Sequence, residues 1–139
     1  IVVLNRAVER AQALVADLGR DPERGCRLRA LPLSPQSLAE CARAADLLVN
    51  ATPVGMRPHV KGSIWPGRVP IPSHLAVFDL VYNPLETRLL RQARASGAHA
   101  IGGLEMLVRQ GALAFQMWTG EEPPLEVMRT ACRQGLLRR

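Results

Sequence analysis

Hydrophobic periodicity along this chain switches repeatedly between strand-like and helix-like runs, and few architectures accommodate that alternation. Ile1–Asn5 is a short, continuous apolar strand, and Arg6–Leu18 carries Ala7, Ala11, Leu14, Val15 and Leu18 on one helical face. Gly19 follows as a helix stop. Arg27–Leu33 reads as a second strand. Ser34-Pro35 reads as an N-cap followed by proline at the first helical position, opening a helix to about Ala44. Asp46–Ala51 and Leu75–Val81 are further strands, separated by a Pro- and Gly-rich stretch from Thr52 to His74. A loop that long inside a compact domain is usually functional. Leu85–Ser96 predicts a helix ending at Gly97, and Ala98–Ile101 a short strand. Leu104–Trp118 and Leu125–Leu137 predict two closing helices, separated by Gly120 and Pro123-Pro124. Nearly continuous apolar strands alternating with helices belong in a parallel sheet covered on both faces. The expected fold class is α/β, a doubly wound parallel sheet with closing C-terminal helices.

The 139 residues suffice for one domain with a buried core. No apolar run is long enough for a membrane span, so no membrane association is expected. Ile1–Leu4 is too short for a signal peptide, and the absence of an initial Met fits a processed or incomplete N-terminus. Three cysteines, odd in number and without C-x-x-C spacing, argue against a disulfide framework or a zinc site. A reducing cytoplasm is the corresponding expectation. His59, His74 and His99 fall in separate segments without ligand spacing, so no metal is expected. The net charge of +6 could signal nucleic acid, but the arginines are scattered over helix faces and only five aromatics accompany them. A solvated basic surface is the favoured reading, with no nucleic-acid partner.

Ligands in such sheets bind at the carboxyl ends of the strands, and four segments place polar residues there. Asn5-Arg6 closes the first strand, with Arg10 four residues later on the expected helix. An acidic residue here would accept the ribose hydroxyls of NAD, whereas two guanidinium forks suit a 2′-phosphate. Asn50 to Met56 leaves the third strand with small and polar residues that let a backbone approach a ligand. Asp79 to Pro84 closes the fourth strand, with Tyr82 at its rim. Gly102-Gly103 opens the helix that carries Met106, and Gln110 two turns on from Gly103. Taken singly, each is better explained as ordinary structure: a helix cap, a Thr-Pro turn, a turn at a strand end, core packing.

Taken in order, they do not read as coincidence. Asn5-Arg6, then Asn50 to Met56, then Asp79 to Leu90, then Gly103 to Pro123 closely resemble the cofactor domain of the shikimate dehydrogenase family. The likeness spans nearly the whole chain and is poorest over Arg20–Leu33. The resemblance implies a Rossmann-like domain and NADP as cofactor. By it, Asn5, Arg6 and Arg10 would hold the adenosine ribose and 2′-phosphate, although Ala7 replaces the family's usual Thr and removes one hydroxyl contact. Asn50, Ala51, Thr52 and Val81 would line the dinucleotide cleft, and Gly103 and Met106 would sit against the nicotinamide ring. Gly102 replaces a more usual Asn or Asp. Tyr82 would reach a substrate carboxylate and Gln110 a substrate hydroxyl. The family reaction is reversible hydride transfer between NADPH and 3-dehydroshikimate, giving shikimate, in aromatic amino-acid biosynthesis.

No G-x-G-x-x-G turn to cradle a pyrophosphate occurs in the sequence. The first strand, that turn, and a substrate domain with the family's catalytic lysine and aspartate are therefore expected upstream. Lys61, in the long loop, is not expected to replace that lysine, so no catalytic acid or base is assigned. Lacking its first strand, the sheet is expected to expose unpaired apolar edges, and residues 1–139 alone to aggregate, bind NADP poorly and turn over no shikimate. The expected partners are shikimate or 3-dehydroshikimate and that substrate domain; a homodimer is left open. The rival readings are a quinate/shikimate dehydrogenase with NAD tolerance, a non-catalytic NADP-binding module, and a basic nucleic-acid-binding domain.

Overall fold

The computed structural model describes residues 1–20, 25–67 and 69–137, so part of the weakest stretch of the resemblance, residues 21–24, lies outside them. The chain divides into two compact units, Ile1–Ala45 and Asp46–Arg139.

In the first unit, β1 (Val2–Asn5) and β2 (Arg29–Pro32) pair in parallel, with Val2 opposite Arg29 and Asn5 opposite Pro32. Between them α1 (Val8–Leu18) packs on both strands, and α2 (Pro35–Ala44) packs on β1. The start of α1 lies two residues later than periodicity predicts. Asn5 Oδ1 accepts the Ala7 amide at 3.0 Å, and this local turn competes with helix for the backbone. Arg6 therefore precedes the helix, and the helical i,i+4 spacing with Arg10 expected from the sequence does not apply. Leu14, expected on the packed face, is 47% exposed, whereas Ala11 is buried. Gly19 ends the helix in ordinary right-handed conformation, φ −74°. Ser34 caps α2 as the sequence indicates, its hydroxyl accepting the Ser37 amide at 3.1 Å.

In the second unit, β3 (Leu47–Asn50), β4 (Ala76–Asp79) and β5 (His99–Gly102) form a parallel sheet in that order. The helices are α3 (Arg88–Ala95), α4 (Leu104–Thr119) and α5 (Leu125–Leu137), with α3 packed on β4 and β5 and α5 packed on α4. Leu75, Val77, Leu89, Leu90 and Val108 are fully buried and form the heart of this unit. The described residues of the 52–74 loop have no regular structure, yet they are pinned to α3. Ser63 Oγ donates to Gln92 Oε1 at 2.6 Å, and the Ile71 amide donates to Ser96 Oγ at 3.1 Å. Buried Trp65 closes the loop on itself by donating from Nε1 to the Val69 carbonyl.

The five strands make a two-stranded and a three-stranded sheet, each in the order expected for its part of a doubly wound sheet. Among the described residues β1 and β3 are each paired along one edge alone. Leu47 and Val49, which share one face of β3, are 53% and 44% exposed. No helix of the described residues is long and apolar enough to cross a membrane.

Candidate functional site

The residues singled out by sequence fall in both units. In the first, Asn5 is half-buried and committed to its turn, while Arg6 and Arg10 are exposed, Arg6 before the helix and Arg10 in its first turn. Two solvent-facing guanidinium groups beside a strand's carboxyl end can take a phosphate monoester through charge-assisted hydrogen bonds.

In the second unit, three segments meet at the carboxyl end of β4. Asp79 is fully buried and accepts three hydrogen bonds. Asn50 Nδ2 donates to its Oδ1 at 2.9 Å, the Val81 amide to the same oxygen at 3.1 Å, and Thr87 Oγ1 to Oδ2 at 2.6 Å. Thr87 is also the N-cap of α3, accepting the Leu90 amide at 3.2 Å, so its hydroxyl proton points at Asp79. Asn50 is 1% exposed and has its whole carboxamide occupied: Nδ2 also reaches the Val54 carbonyl, and Oδ1 accepts the Thr52 amide and hydroxyl. Thr52 Oγ1 in turn accepts the Val54 amide. The polar side chains of the β3 turn thus face inward, and Ala51, Pro53 and Met56 are its exposed side chains.

Gly55, buried at φ +94°, needs glycine both for that conformation and because a Cβ would lie 3.3 Å from the Gly62 carbonyl oxygen. The Arg57 amide donates to the Asn83 carbonyl at 2.9 Å, joining the β3 turn to the β4 turn. Past Asp79, Val81 is buried and Tyr82 emerges 36% exposed before Asn83-Pro84.

Gly103 brings in the third segment. A Cβ there would lie 2.7 Å from the Leu80 carbonyl carbon and 3.1 Å from the Asp79 carbonyl oxygen, so α4 begins in direct contact with the end of β4. Glycine at this position is what lets the helix start so close to the strand end. Met106, half-buried, and Gln110, exposed, lie one and two turns further on. In the first turn of α4, Glu105 is held by Arg129 of α5 through paired contacts of 2.6 and 2.9 Å, and Arg129 also reaches Glu126. The hydrogen bonds from Arg129 hold the Glu105 carboxyl below its ordinary range. Lys61 is exposed in the loop, its carbonyl accepting from Arg88 Nη1.

Asp79 and Thr87 were assigned no role from sequence, though both leave a signal. Asp79 is the one charged residue in the apolar run Leu75–Val81, and a buried carboxylate must be partnered. Thr87 opens an amphipathic helix shortly after a proline, the position of an N-cap.

Parallel strands delivering two turns and a helix start to one carboxyl edge define a Rossmann-like α/β protein. Residues 103–133 match the profile described as the shikimate 5′-dehydrogenase C-terminal domain. The shikimate dehydrogenase (NADP(+)) of Methanosarcina mazei is 48% identical over 136 residues, 98% of this chain and 47% of that protein. A crystal structure of shikimate 5-dehydrogenase from Thermus thermophilus, in complex with NADP(H) and shikimate, matches with a TM-score of 0.77 at 44% identity. The match covers 96% of this chain and 45% of that one. Quinate dehydrogenase from Corynebacterium glutamicum, in complex with NAD, matches with a TM-score of 0.79 at 33% identity, over 93% of this chain and 44% of that one. By sequence and by fold the chain is a relative of the shikimate dehydrogenases, and it spans about half the length of the curated relatives it matches.

Proposed function

We propose that this chain is the cofactor-binding part of an NADP-dependent shikimate dehydrogenase, acting in the reversible NADPH-dependent reduction of 3-dehydroshikimate to shikimate. The observation that carries this is the convergence of the β3 turn, the β4 turn and the start of α4 on Asp79 and Leu80, in a chain 48% identical to such an enzyme. The residues present fit most of the cofactor. Arg6 and Arg10 offer a fork of donors for the 2′-phosphate, and Asn5 shapes the turn from which Arg6 projects. Ala51, Val81 and Met106, with the backbone of Thr52 and Gly103, supply an apolar and main-chain wall for the nicotinamide end. Asn50 holds that wall from behind. No residue of this sequence fits the role of a glycine-rich pyrophosphate cradle.

When bound, the cofactor supplies the ring that exchanges hydride with substrate. Tyr82 and Gln110 reach out to orient that substrate, Tyr82 at its carboxylate and Gln110 at a hydroxyl. Both are exposed, so neither has to break a buried contact to do so. The groups that move the proton are assigned to the part of the relatives' length that this chain does not span.

The test is a hybrid in which this chain replaces the matched portion of the Methanosarcina mazei relative. NADP-dependent shikimate oxidation within about tenfold of the parent enzyme, that is about 1.4 kcal/mol in barrier, is expected. A folded hybrid that binds NADPH and oxidises no shikimate would contradict the proposal. Similarity to the quinate dehydrogenase favours a second reading, broader use of quinate and NAD. The same hybrid separates the two, since that reading requires kcat/KM with quinate and NAD to rival that with shikimate and NADP.

A further inference from the structure

We infer that Asp79 is a positioning residue, whose two carboxylate oxygens set the cofactor-side turn and the substrate-side turn relative to each other. This rests on the function proposed above and deepens it. Asp79 has no exposed surface and so touches neither ligand; its influence passes through its three donors. Through Asn50 Nδ2 it orients a carboxamide whose Oδ1 holds the Thr52 amide and hydroxyl, which fixes Ala51 and Thr52. Through the Val81 amide it bends the chain out of β4 and aims Tyr82. Its own carbonyl and that of Leu80 form the surface against which Gly103 starts α4, the helix of Met106 and Gln110.

The donor directions leave no freedom. Thr87 Oγ1 already accepts from the Leu90 amide and donates to Oδ2, while Asn50 and Val81 both donate to Oδ1. Both oxygens must therefore be acceptors. An Asp79→Asn side chain has nearly the same shape but turns one oxygen into a donor. Facing Asn50 and Val81, that amide opposes two donors; facing Thr87, it reverses the hydroxyl and leaves the α3 cap to accept twice. A structural role alone predicts only loss of folded protein. A positioning role predicts misplacement in molecules that remain folded, and small displacements of reacting groups cost large factors in rate.

The hybrid enzyme described above carries the test, with Asp79→Asn compared against Leu75→Ala, a core truncation outside this network. Per folded molecule, Asp79→Asn is expected to lower kcat/KM for shikimate about tenfold or more and to raise the KM for NADP, while Leu75→Ala leaves both within about twofold. Amide exchange read by mass spectrometry is expected to accelerate in segments 50–56 and 79–84 of the Asp79→Asn protein and to stay unchanged in α5. Kinetics per folded molecule matching Leu75→Ala, with parental exchange in both segments, would overturn the inference. If Asp79→Asn does not fold, Asn50→Ala decides. It is expected to speed exchange in 50–56 alone and to raise the KM for NADP severalfold, and parental values in both would overturn the inference. A hybrid with no shikimate turnover contradicts the proposed function, and the exchange pattern then still decides the role of Asp79.

Discussion

Among the described residues, the unit Ile1–Ala45 holds its candidate ligand residues by one side-chain contact, Asn5 to the Ala7 amide, whereas in Asp46–Arg139 the corresponding turns are locked by a buried network. The cores differ in the same sense. Among the described residues, most of the large fully buried side chains lie in the second unit (Leu75, Val77, Leu89, Leu90 and Val108), while the first has Leu38 with the small Ala11 and Ala42. On the function proposed above, the contrast fits the chemistry asked of each. A phosphate monoester is a diffuse charge that two flexible guanidinium groups can find from solvent, and the contact tolerates some play. A reacting ring and a carbon centre tolerate little, so the groups beside them are fixed through backbone and buried acceptors.

The largest test of this contrast is Gly103→Ala. With two backbone carbonyls in the way, α4 must shift, and a loss of about 3 kcal/mol in denaturant unfolding is expected together with loss of shikimate oxidation. Next, Leu90→Ala in the second unit is expected to cost about 3 kcal/mol, and Leu14→Ala in the first to change stability by less than about 0.5 kcal/mol. Equal losses would show that Leu14 is packed in the folded protein despite its exposure. Smaller again, Arg6→Ala with Arg10→Ala is expected to weaken NADPH binding by about 2 kcal/mol, with thermal stability unmoved. A large stability loss in that double variant would show the arginines to be structural.

The smallest effect concerns Glu105 and Arg129, which tie α5 to α4. The Glu105 carboxyl is lowered by its hydrogen bonds from Arg129. Its contribution is therefore present above the unfolded glutamate range and is lost as pH falls through the lowered folded value. Amide exchange in α5 is expected to accelerate on acidification through that window, and Glu105→Gln to flatten the profile.

Every element of the fold is legible in the sequence, because period and punctuation suffice to tell short apolar strands from helices. Several boundaries shift by one to three residues, and three of the shifts share one cause. Asn5 takes the Ala7 amide and delays α1 from Arg6 to Val8; Asp79 takes the Val81 amide and ends β4 before Leu80; Thr87 takes the Leu90 amide and starts α3 at Arg88 instead of Leu85. Each is a side chain displacing regular backbone pairing, which periodicity does not register. The site is legible to the same depth. That Asn50, Thr52, Tyr82 and Gln110 sit at strand ends or on α4 follows from the pattern of elements. That Asn50 turns inward follows from its bond to buried Asp79, 29 residues away, and Thr52 from its bond to Asn50, and neither pairing is written in local periodicity.

The division of labour between a loosely held phosphate grip and a locked ring wall is tested most directly by fluorescence titration of the hybrid enzyme with NADPH and with NADH. The expected result is NADPH binding tighter by about tenfold or more, a preference that collapses in the Arg6→Ala, Arg10→Ala protein while NADH affinity stays the same. Equal affinity for the two cofactors in the parent hybrid, or a preference that survives loss of both arginines, would contradict it.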